Sequence, residues 1–77
     1  MDPVTLILTG ISVAKGLASL AVDVGPMITN IKSAVDALFG GGHITDVQAA
    51  DLRTQTSELE GEWAVALAAA RAEPPAA

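Results

Sequence analysis

A chain of 77 residues with a formal net charge of -5, no Cys and 51% hydrophobic residues, most of them Ala, Val, Leu and Ile, excludes several classes at once. Without thiols there is no disulfide framework and no thiolate metal site, and four scattered cations (Lys15, Lys32, Arg53, Arg71) cannot build the basic patch that a nucleic-acid backbone requires. A single domain of this size buries only about 60% of the surface its unfolded chain exposes, so oligomerisation or docking is the expected source of further stability.

Asp2-Pro3 is a helix start, with the Asp2 carboxylate placed to accept from free backbone N–H groups and Pro3 at the first helical position. The spacing predicts a helix over residues 3–24. Val4, Ile7, Ile11, Ala14, Ala18 and Ala21 recur on one apolar face, and Leu6, Val13, Leu17, Leu20 and Val24 on an adjoining one. Thr5, Thr9, Ser12, Gly16 and Ser19 form a third stripe of small groups at alternating spacings of four and three. The stripe reads either as a mildly polar outer face or as a close helix–helix contact, and the contact is favoured because exposed helix faces are normally filled with Glu, Lys and Gln. Short Ser and Thr hydroxyls can bond back to their own helix and need not face water.

The 21 residues from Val4 through Val24 match the length of a membrane span. Lys15 near the middle costs roughly 2.5–3.5 kcal/mol there, and the flanks carry Asp2 and Asp23 with no Lys or Arg. Membrane insertion of residues 4–24 is therefore the alternative, not the first reading. No basic segment precedes the apolar run, so a secretory signal is not expected, and a cytoplasmic or virion-associated location is.

Gly25-Pro26 interrupts the pattern; the chain either kinks there or breaks and restarts with Pro26 in a first turn. A second, one-sided helix is expected over residues 26–39. Gly40-Gly41-Gly42 ends it in a turn spanning residues 40–45. No strand precedes these glycines and no Gly-Lys-Ser/Thr follows, so a phosphate loop is not indicated. His43, without a second His or any Cys, reads as a loop residue.

Thr45-Asp46-Val47-Gln48 is a capping box that opens a last helix over residues 46–72. Ala49, Leu52, Thr56, Leu59, Trp63, Ala66 and Ala70 alternate spacings of three and four along it, an intrachain seam for an antiparallel partner. Pro74 closes the helix and leaves a frayed tail over 73–77. The charge divides unevenly. Asp2, Asp23 and Asp36 against Lys15 and Lys32 leave residues 1–43 at -1, whereas six acids against Arg53 and Arg71 leave residues 44–77 at -4.

These elements predict a single all-α domain, a helical hairpin with a long N-terminal helix kinked or broken at Gly25-Pro26, an antiparallel C-terminal helix, and assembly into oligomers. A continuous helix over residues 3–39 would run ~55 Å and its partner ~40 Å. The shortfall leaves Val4, Leu6, Ile7, Leu8 and Ile11, together with the Thr5–Ser19 stripe, as the expected partner interface. A break at Pro26 would instead ask the last helix to cover two others, for which one seam is too narrow. Trp63 is expected opposite Ala18, Ala21 and Val22, and Leu59 near residues 24–28.

Catalysis is not expected. Glu58, Glu60 and Glu62 at spacing two cannot converge on a helix, and Ser12, Ser19, Ser33 and Ser57 have no histidine near in sequence. No cofactor or metal is called for. A non-enzymatic structural or interaction protein, acting as a homo-oligomer or within a larger protein assembly, follows from this inventory.

The Met1-Asp2-Pro3 opening, the apolar first helix, the Gly40–Gly42 turn and the acidic, Ala-rich end at Ala64–Glu73 together resemble the short Ala- and Val-rich helical-hairpin proteins of tailed bacteriophages. That resemblance implies either a minor virion component or a lysis-type membrane protein.

Overall fold

The computed structural model describes residues 2–72; the expected stop at Pro74 and the frayed tail over 73–77 lie outside them. The chain is all-α, with α1 (Pro3–Ala18), α2 (Gly25–Gly40) and α3 (Asp46–Ala72) each packed against the other two.

Local chemistry sets each start. The Asp2 carboxylate accepts from the Val4 N–H at 3.2 Å, with Pro3 opening α1. Asp23 accepts from the Gly25 N–H at 3.0 Å, and Pro26 occupies the first turn of α2, where its missing donor is no loss. At α3 the capping box is reciprocal: the Gln48 N–H donates to Thr45 Oγ1 at 3.1 Å and the Thr45 N–H donates to Gln48 Oε1 at 2.9 Å.

The ends of α1 and α2 are built alike. After α2, Gly42 takes φ +74° while the His43 and Gly42 N–H groups donate to the Leu38 and Phe39 carbonyls. After α1, Ala21 takes φ 59° while the Val22 and Ala21 N–H groups donate to the Leu17 and Ala18 carbonyls. Both are Schellman closures, one with the usual glycine at the left-handed position and one with an alanine. The first helix therefore stops at Ala18 and does not run to residue 24. The chain breaks over Ser19–Val24, ahead of Pro26.

Short connections make consecutive helices antiparallel neighbours. Along α2 and α3, Asp36 pairs with Arg53, Lys32 with Glu60, and Gly25 lies under the Trp63 ring, a descending register. Between α1 and α3, Lys15 meets Glu58, twelve residues beyond Pro3 and twelve beyond Asp46, so these two run in parallel and start level.

Ile7, Ile11, Ala14 and Ala18 of α1 converge with Ile28, Ile31 and Val35 of α2 and with Ala49, Leu52 and Leu59 of α3. The expectation that one seam of α3 could not cover two helices fails. Three helices around one axis each need only a single inward stripe, and Ala14, Ala18 and Ala49, all essentially inaccessible, let the backbones come close. Thr56 is buried in that stripe, and its hydroxyl donates to the Leu52 carbonyl at 2.7 Å.

With 27 residues against 16 in α1, α3 overshoots its neighbours by roughly 16 Å. The seam is buried through Leu59, half-buried at Trp63 and Ala66, and exposed at Ala70, which is therefore not an intrachain contact. Trp63 sits over the start of α2: a methyl added at Gly25 would stand 3.4 Å from the indole Cη2. The shorter α1 and the separate α2 shift it there from the expected place opposite Ala18, Ala21 and Val22.

Candidate interaction surface

A three-helix bundle has three outer grooves, and here they differ in charge. Lys15 Nζ stands 4.0 Å from Glu58 Oε2 across the α1/α3 groove. The α2/α3 groove is crossed twice, by Lys32 Nζ to Glu60 Oε1 at 2.6 Å and by Arg53 to Asp36 Oδ1 at 3.1 Å, with the Arg53 guanidinium also 5.4 Å from the Phe39 ring centroid. Every charge on α1 and α2 is thus turned toward α3. The remaining face, along α1 and α2, carries none.

Aliphatic rows line this uncharged face. Leu6, Gly10, Val13 and Leu17 follow one another at spacings of four and three, and Gly10 marks their side of α1 because a methyl there would stand 4.0 Å from Ile31 of α2. The facing row on α2 is Met27, Ile31, Ala34 and Leu38. Leu6 is 54% exposed and Val13 52%, while Leu17, Met27, Ala34 and Leu38 are half-buried.

Three hydroxyls of α1 and α2 bond back to their own helices. Thr9 Oγ1 donates to the Thr5 carbonyl at 2.9 Å, Ser19 Oγ to Gly16 at 2.8 Å and Thr29 Oγ1 to Gly25 at 3.1 Å. Such back-bonding satisfies a hydroxyl without water. Thr5, Thr9, Ser12, Gly16 and Ser19 are all exposed, and nothing stands within 4 Å of a methyl placed on Gly16. The expected small-residue stripe is therefore open to a neighbour.

Two members of the expected partner interface are not available. Ile7 and Ile11 are 7% and 2% exposed because they belong to the chain's own core, and Val4 and Leu8 are half-buried against it. The length argument that left them uncovered assumed a continuous helix to residue 39; with α1 ending at Ala18, α3 runs alongside it from its first turn. Leu6 remains, and Val13 joins it. The spacing of Leu6, Gly10, Val13 and Leu17 was the signal for it.

A second apolar region lies at the far end, where α3 overshoots. Val65 is 71% exposed there, Leu20 and Val22 stand exposed on the adjacent connection, and the buried Trp63 Nε1 has no acceptor among the described residues. Ser19, Gly61, Glu62, Val65, Ala66 and Ala69 line an open depression beneath the overhang.

Among the described residues no three His, Asp or Glu side chains come together in a metal-sized cluster, and no helix is long and apolar enough to cross a membrane. His43 is exposed in the connection between α2 and α3. Comparison with protein-family models, with curated proteins and with solved structures gives no match to this chain.

Proposed function

We propose that this chain is a non-enzymatic interaction protein that oligomerises, or docks into a larger protein assembly, through the uncharged face of α1 and α2. The observation that carries the reading is the exposure of Leu6 and Val13 on a face from which every ionisable side chain of α1 and α2 has been directed away. Interface centres are depleted of charge and rich in apolar contact, whereas a face meant for water carries Lys and Glu. A minor virion component is one assembly of this kind, and the sequence resemblance to phage helical-hairpin proteins supports that choice.

Insertion of residues 4–24 into a bilayer is less well supported. It would require the closure at Ala18–Val22 to unwind, because α1 as folded has 16 residues and spans ~24 Å against a hydrocarbon core of about 30 Å.

Sedimentation of extracts from cells that naturally express the protein tests the reading. The wild-type chain is expected to sediment faster than Val13→Glu, with detergent absent throughout. Equal, slow sedimentation of the two chains would contradict it.

A further inference from the structure

We infer that the partner on the α1/α2 face is a second copy of this chain, packed about a two-fold axis so that α1 and α2 of both copies form a four-helix core. The inference rests on the reading of that face as a docking surface and adds the identity of the occupant.

Charge makes the argument. Two chains of net charge -5 repel one another, and α3 concentrates that repulsion, with Asp46, Asp51, Glu58 and Glu62 all exposed along it. A copy approaching over α3 meets like charge; a copy approaching over α1 and α2 meets none. The bare face is therefore the side on which two such acidic molecules can desolvate one another without burying an ion. A basic partner would be drawn to the acids of α3, and an acidic one would find on α1 and α2 only Lys15 and Lys32, which face Glu58 and Glu60. An uncharged face has as its natural complement another uncharged face, and the chain carries that face itself.

Shape and area agree. A two-fold interface uses the same patch on both sides, so the residue rows must be self-complementary. Exposed Leu6 and Val13 on α1 alternate with smaller Gly10 and Gly16, and the facing α2 contributes half-buried Ala34; these are knobs and gaps on one surface. Two helices of 16 residues each present a face of ~24 Å by ~20 Å. Pairing two such faces buries about 1,000 Å² in total, the lower limit for a specific interface, so the dimer should dissociate on dilution.

Because the chain has no Cys, single thiols can report the contact directly. Val13→Cys and Ala34→Cys place one on the uncharged face, and Thr54→Cys places one on the exposed side of α3. With a short bismaleimide and purified protein, Val13→Cys and Ala34→Cys should cross-link to a two-chain product with at least tenfold the yield of Thr54→Cys. Light scattering on the wild-type chain should give a mass approaching two chains at high concentration. Equal yields at the three positions, a mass that exceeds two chains, or a mass of one chain at every concentration would overturn the inference. A purified monomer that still sediments fast in cell extracts would overturn only the second copy as occupant. Slow sedimentation there as well would remove the docking reading with it.

Discussion

The two sides of this bundle are made from the same three helices and handle their surfaces in opposite ways. On the α3 side, the seam from Ala49 through Leu59 is buried and the grooves are bridged by Lys15–Glu58, Lys32–Glu60 and Asp36–Arg53, although Val47 and Val65 stand exposed away from those grooves. On the α1/α2 side, Leu6 and Val13 are half-exposed among small neutral residues, with no ion pair over them. The difference lies in where charge was placed, since α1 and α2 together hold only Lys15, Lys32 and Asp36. Exposed ion pairs contribute at most about 1 kcal/mol each, so their arrangement says more about which side faces water than about stability.

Substitutions should separate the sides, and the largest effect belongs to the closed one. Leu59 is fully buried, and Leu59→Ala should lower unfolding free energy by about 2–5 kcal/mol in urea titration. That loss is comparable with the whole stability of a domain this small. Val65→Ala, one and a half turns further along the same helix, should change it by no more than about 0.5 kcal/mol, because Val65 is 71% exposed. Equal losses would erase the distinction between the covered part of α3 and its overhang.

Val13→Glu probes the open side. It should weaken self-association by about a hundredfold or more while leaving monomer unfolding within about 0.5 kcal/mol of wild type. Sedimentation velocity and circular dichroism on the same samples would read both quantities. A destabilised monomer would mean that Val13 supports the chain's own fold.

Smaller effects sharpen the picture at the turns and the ion pairs. Ala21 holds a left-handed φ of 59° that favours glycine, so Ala21→Gly should stabilise the chain by about 1 kcal/mol and leave α1 ending where it does. Lys32→Met should cost about 0–1 kcal/mol, and most of that difference should disappear at 1 M salt, where the screening length is about 3 Å.

Much of the fold was legible because its signals are local. Asp2-Pro3, the Thr45–Gln48 box and Gly42 each act within a few residues, and each performs the cap expected of it. The end of α1 was not legible, because its left-handed closing residue is Ala21, where a glycine would have announced the turn, and the helical apolar spacing continues through Val24. That one missed turn carried through to the expected site. It left Ile7 and Ile11 uncovered on paper, whereas the separate α2 and the level start of α3 bury both. The stripe of Thr5, Thr9, Ser12, Gly16 and Ser19 was legible from its spacing, and all five residues are exposed. The charge contrast between the grooves was not, since each ion pair joins residues on different helices and only the register brings them together.

Pairing through the α1/α2 face is tested most directly by the mass of the purified chain in detergent-free buffer, followed by light scattering across a dilution series beside Val13→Glu. The wild-type mass should rise from one chain toward two with concentration, and the variant should stay at one. A wild-type mass fixed at one chain, or a variant that associates as the wild type does, would contradict such pairing.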